Sequence, residues 1–138
     1  MKKILTLIGV FVLILSCSTD NINEQNVRYE LVKVENVIIG DELYFGDENI
    51  ITVQYLRPTT CHGFNGFSYE KEGFTRTIGV QNYVVENADC QAVVGEVREE
   101  NLVFQPTETG TYTFKFWQGK DANGDNIFLE IQRDVVIQ

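Results

Sequence analysis

The chain has 138 residues, 20 acidic against 11 basic side chains and a formal net charge of −9. One domain of this length buries roughly 65% of its unfolded surface, so a real core forms without extra staples. So acidic a surface repels nucleic acid and anionic lipid headgroups, which excludes both as partners. Met1-Lys2-Lys3 is a short basic stretch, and Ile4 to Leu15 is apolar apart from Thr6 and Gly9. As a helix that run is about 18 Å long, short of a hydrocarbon core of roughly 30 Å. It reads as the apolar region of a secretory signal peptide and not as a membrane span.

Ile14-Leu15-Ser16-Cys17 places a bulky aliphatic residue three before the cysteine and a small residue directly before it. This resembles the lipobox of bacterial lipoproteins, with Leu15 where a small residue is more usual. The resemblance implies cleavage before Cys17 and fatty acylation, palmitate included, of Cys17. Residues 1–16 are then a lipoprotein signal peptide, 17–27 a lipidated polar tether, and 28–138 the folded domain. Losing Lys2 and Lys3 leaves 9 basic against 20 acidic side chains, a net −11. Ser18 to Asn26 is polar but for Ile22 and reaches about 30 Å at full extension. The expected location is the cell envelope, at the outer membrane or cell surface, held through the N-terminal lipid.

With Cys17 assigned to lipid, Cys61 and Cys90 remain as an even pair. In an oxidising compartment such a pair is expected as a disulfide, with a loop-closure term of roughly 3–4 kcal/mol. A metal or catalytic thiol is the weaker alternative. His62 is the only histidine, and neighbours on a strand point to opposite faces.

Beyond the tether, strand signals recur at short spacing. Tyr29 to Val37 alternates loosely and Gly40-Asp41 marks a turn. Ile51, Val53 and Tyr55 alternate with Thr52 and Gln54, a half-buried strand pattern. Phe67 to Lys71 and Phe74 to Val80 flank Glu72-Gly73, which predicts a hairpin with glycine supplying positive φ. Ala92 to Val97 and Leu102 to Gln105 are short candidate strands, with a helical turn as the other reading of Arg98-Glu99-Glu100. Tyr112, Phe114 and Phe116 alternate with polar residues and Trp117. Across Asn123-Gly124, Ile127, Leu129 and Ile131 do the same, predicting a long hairpin with one apolar face.

Seven to nine strands and no convincing helix imply an all-β fold, an antiparallel β-sandwich. Thr109-Gly110-Thr111-Tyr112 resembles the tyrosine corner of immunoglobulin-like domains. Phe114 stands where antibody-type domains keep their second core cysteine, and Trp117 is on a different strand from theirs. The resemblance is therefore to the broad immunoglobulin-like sandwich. With the lipobox and tether, the whole chain resembles small immunoglobulin-like lipoproteins of Bacteroidota.

Asp121-Ala122-Asn123-Gly124-Asp125 has oxygen ligands at alternate positions, as calcium loops do. A twelve-residue calcium loop starting at Asp121 would need Gly and Glu where Asn126 and Gln132 stand, so a turn is expected and no metal site is assigned. No catalytic residue and no cofactor are assigned either. A triad has only His62 to draw on, and no nucleophile elbow or phosphate-cradling loop is present. Cys61 to Tyr69 has the most character. Phe64, in Gly-Phe-Asn-Gly, is expected on an exposed loop, while Phe67 and Tyr69 share a strand face directed at the core. Phe64, Phe67 and Trp117 are the candidate binding residues. The expected function is that of a non-enzymatic binding or structural module for a protein partner. The alternative is glycan binding by exposed aromatics.

Overall fold

Alternation of large apolar residues decides which backbone stretches become strands here, because each strand has one face that must leave water. A computed structural model describes residues 26–86 and 88–138. Cys17, the signal segment and nearly all of the expected tether lie outside those residues. Nine strands follow in order: β1 (Val27–Val32), β2 (Val34–Ile38), β3 (Glu42–Tyr44), β4 (Asn49–Leu56), β5 (His62–Glu72), β6 (Thr75–Val85), β7 (Val97–Phe104), β8 (Gly110–Lys120) and β9 (Asn126–Val136). They form two sheets. The larger has the order β1-β6-β8-β9-β3, with β5 on the other side of β6, and the smaller is β2-β4-β7.

The inward residues of both sheets meet in one core. Ile51, Val53 and Tyr55 of β4 face Ile78 and Val80 of β6 and Tyr112, Phe114 and Phe116 of β8. Phe104 of β7 packs edge-on against Tyr112 and Phe114, with ring centres 5.2 and 5.1 Å apart. Emptying one such buried aromatic site costs about 3–5 kcal/mol. The Tyr112 hydroxyl donates to the Glu108 carbonyl oxygen at 3.0 Å, the corner bond that the Thr-Gly-Thr-Tyr segment predicts.

Five of the seven strand pairings are antiparallel, as expected for this sandwich. Two are parallel, β3 with β9 and β6 with β8. In the second, β6 divides one edge between two neighbours. Thr75 to Ile78 pairs with β8, and Val80 to Val85 pairs with β1.

Local expectations fare unevenly. The loose alternation from Tyr29 to Val37 resolves into two strands, β1 and β2, which enter different sheets on either side of Lys33. Ala92 to Val97 is an irregular segment up to Val97, with one bridge from Ala92 to Thr59 and Val94 fully in solvent. Arg98-Glu99-Glu100 is strand, held by pairing to β4. The loop between β5 and β6 is Gly73-Phe74, with Gly73 at φ 54°. Between β8 and β9 the Gly124 N–H donates to the Asp121 carbonyl oxygen. Ala122 and Asn123 therefore occupy the middle of the turn, and Gly124 follows at φ 86°, the three-residue hairpin pattern and not a two-residue Asn-Gly turn.

Candidate binding groove

Among the described residues, one flank of the sandwich is left open. Among the described residues β5 pairs only with β6, and β7 only with β4, so each presents an unpaired backbone edge. The inward faces of these two edge strands look at each other across a groove. β5 contributes His62, Phe64, Phe67, Tyr69 and Lys71, in register with inward Val84, Asn82, Val80, Ile78 and Arg76 of β6. Phe64 and Phe67 share that face because of a bulge. The register slips between Phe64 and Gly66, so Asn65 is the extra residue and the alternation restarts one position late. Their rings meet edge-on at 5.2 Å and pack against the core.

That aromatic pair stands between two hollows. Tyr55, Arg57, His62, Phe64, Arg98 and Glu100 line the first, of about 240 Å³. At its foot His62 is buried and held at both nitrogens. Nε2 lies 2.5 Å from Glu30 Oε1 and Nδ1 lies 2.7 Å from Thr59 Oγ1. A carboxylate can only accept, so Nε2 carries the proton. The Arg28 guanidinium, hydrogen-bonded to Glu30, holds that carboxyl below its ordinary value, and His62 adds to the effect against a smaller cost of burial. The hydroxyl–imidazole–carboxylate series binds β1 to the start of β5, and Thr59 lines neither hollow. Deeper still, Asn82 is fully buried, and its amide makes no hydrogen bond of normal geometry among the described residues. Burial pushes the Tyr55 phenol above its ordinary value. Glu100 adds to that, while Arg98 and Arg57 oppose it.

The second hollow, of about 400 Å³, is lined by Phe67, Tyr69, Lys71 and Arg76 on one side and Leu102, Val103, Phe104, Gln105 and Thr107 on the other. Arg76 is only 4% exposed. Its Nη1 donates to the carbonyl oxygens of Gly73 at 2.7 Å and Thr75 at 3.0 Å, and the guanidinium lies 4.9 Å from the Tyr112 ring centre and 5.8 Å from that of Phe104. Burial raises the Tyr69 phenol above its ordinary value, and the Arg76 charge beside it opposes the rise.

The structure places the candidate residues as follows. Phe64 is on a strand and half-buried, which corrects the expectation of an exposed loop; the bulge, not a loop, breaks its alternation. Phe67 is half-buried in the groove wall, as its strand face implied, but Tyr69 on the same face is 42% exposed, which corrects the expectation that it packs in the core; it stands where β5 runs out along the open edge. Trp117 lies on the outer face of the large sheet, half-buried, with its indole N–H donating to Asn126 Oδ1 at 3.0 Å. Phe64 and Trp117 therefore occupy opposite faces and do not form one platform. Trp117 and Phe128 instead wall a separate shallow hollow of about 180 Å³ over Gly79, with Ser68, Glu70 and Thr77 at its rim. Cys61 and Cys90 are joined, with α-carbons 5.4 Å apart. The bond adjoins a short ladder in which Thr60 N–H donates to Gln91 O and Val93 N–H to Pro58 O. In the Asp121 turn, Asp121 Oδ1 accepts the backbone N–H groups of Asn123 and Asp125, so this carboxylate is spent on the turn itself. Cys17 falls outside the described residues.

Sequence reasoning missed Arg76, Lys71, Tyr55 and Asn82. A signal for two of them was there. Arg76, Ile78, Val80, Asn82 and Val84 are alternate residues of one strand, so Arg76 and Asn82 interrupt an inward apolar row. No known protein family, curated protein or solved structure matches this chain.

Proposed function

We propose that this is a membrane-anchored envelope lipoprotein, attached through acylated Cys17, that binds an extended segment of a protein partner in the groove between β5 and β7 and performs no chemistry on it. The observation that carries the reading is the pair of unpaired strand edges facing each other across an aromatic-walled groove. An extended segment gains backbone hydrogen bonds by adding to such an edge, and hollows on either side take its alternate side chains. Charge supports an acidic segment. Arg57, Lys71, Arg76 and Arg98 line the two hollows against Glu100 alone, in a chain where acids outnumber bases 20 to 11. Arg57 and Arg98 share Glu96 as an ion-pair partner, while among the described residues Lys71 and Arg76 have none.

The test is photo-cross-linking in intact cells from a reactive residue placed at position 102, in the groove, or at Thr77, on the outer face. The expected outcome is one envelope protein joined at position 102 through an acidic extended segment, and not at position 77. The same adducts from both positions, or none at 102, reject the reading. The anchor is checked separately. Cys17→Ser is expected to move the protein to the soluble fraction, and wild-type protein free of lipid rejects that part.

Glycan binding keeps one observation in its favour, the Trp117–Phe128 hollow with its mixed polar rim. Trp117 fluorescence titrated with soluble envelope oligosaccharides tests it. An unchanged emission across the series rejects it.

A further inference from the structure

We infer that the Arg76 hollow is a carboxylate site, which takes an acidic side chain from the extended partner segment and seats an adjoining apolar side chain against Phe67 and Leu102. The inference rests on the partner reading above and adds what that groove selects for. It starts from an imbalance. A charge withdrawn from water is normally paired, because desolvation costs far more than carbonyl dipoles return. Arg76 keeps only 4% of its surface exposed. It has two carbonyl oxygens on Nη1 and the faces of Tyr112 and Phe104 beside it, and among the described residues no carboxylate lies within ion-pair distance. The surrounding contacts fix the guanidinium in place without neutralising it.

Arg76 lines the hollow, with the Tyr69 phenol against its guanidinium. A planar fork of N–H donors held by its own packing matches a carboxylate, which it binds through two parallel hydrogen bonds. Lys71, in register with Arg76 on the adjacent strand, lines the same hollow and brings a second positive charge to its rim. Phe67, Leu102 and Phe104 give the hollow an apolar part beside its polar lining, so a bare anion would leave that part wet while a carboxylate on an apolar body covers it. The acid belongs to the middle of a segment and not to a chain end. The groove runs on past the Phe64–Phe67 pair into the other hollow, and β5 continues unpaired along both.

The experiment uses the full chain in detergent and two hexapeptides blocked at both ends, Ac-Val-Glu-Val-Phe-Val-Thr-NH2 and the same peptide with Gln in place of Glu, with a third, the Gln peptide bearing a free C-terminus, as a control. Binding is followed through the Arg76 Nε–H resonance. The Glu peptide is expected to shift that resonance and to bind at least tenfold more tightly than the Gln peptide. Arg76→Lys should keep part of that preference and Arg76→Gln should remove it. The comparison of peptides on the unaltered chain stands even if Arg76→Gln does not fold. Equal binding of the two peptides, binding that leaves the Arg76 resonance unmoved, or preference for a Gln peptide with a free C-terminus overturns the inference. If neither peptide binds while position 102 still captures its partner in cells, the carboxylate site is overturned and the groove reading survives. If the Glu peptide is selected at Arg76 and position 102 captures nothing, the site is upheld and the partner reading fails.

Discussion

At the scale of single residues, two positions make the groove end of β5 sensitive. Gly63 lies opposite Tyr83, and a β-carbon on Gly63 would sit 2.2 Å from Tyr83 Cζ. The tyrosine ring covers the glycine on an edge strand, a known way of steadying such a site. Gly63→Ala is expected to cost about 1–3 kcal/mol through overpacking. Adding Tyr83→Ala should recover part of it, as urea unfolding of the single and double variants will show. Glu30 contributes to stability in acid. Its folded value is depressed, so the stability it lends is complete above its ordinary value of 4.5 and is lost as pH falls through the lower folded value. Unfolding midpoints taken between pH 7 and pH 3 should therefore fall more steeply for wild type than for Glu30→Gln. Parallel curves would mean that the Arg28–Glu30–His62 contacts do not act on stability.

At the scale of elements, β5 shows what local pattern can and cannot reveal. Phe67 and Tyr69 were legible as one face because they stand two positions apart, with Ser68 alone between them. Phe64 was not, because the bulge at Asn65 makes its spacing to Phe67 three, and a strict period of two puts those rings on opposite faces. The half-buried setting predicts that Phe64→Ala costs about 2 kcal/mol, between the negligible loss of an exposed side chain and the 3–5 kcal/mol of a fully buried one. Chemical denaturation measures this, and a loss below about 0.5 kcal/mol would return Phe64 to the surface. The same strand guards its edge. Glu70, Lys71 and Glu72 put charge on its second half, and the bulge bends its first, both of which discourage pairing with a second copy. On the proposed reading, a partner segment would have to bring complementary charge to this edge.

At the scale of the whole molecule, the all-β class, the tyrosine corner and the disulfide were legible because each depends on nearby residues or on simple counting. Strand order was not. That β6 shares one edge between β1 and β8, and that β3 runs parallel to β9, follows from pairings between distant segments that no short-range period specifies. The groove was hidden for the same reason, since it exists only where β5 and β7 each end a sheet. The disulfide ties the segment before β5 to the segment between β6 and β7, closing a loop of sequence separation 29. Cys90→Ser is expected to lower the unfolding free energy by about 2–5 kcal/mol, measured against wild type under non-reducing conditions. A smaller loss would mean that the neighbouring backbone ladder already holds these segments together.

The parallel pairing of Glu42–Tyr44 with Asp134–Val136 has a consequence in time. β3 is made early, yet its only strand partner among the described residues is β9, at the far end of the domain. Pairings this distant in sequence slow folding, because the loop must close before the contact rewards it. A chain that crosses a membrane N-terminus first would expose the inward side of Leu43, buried in the finished fold, until β9 arrives. Closing the β3–β9 pairing is therefore expected to be among the slower steps of folding.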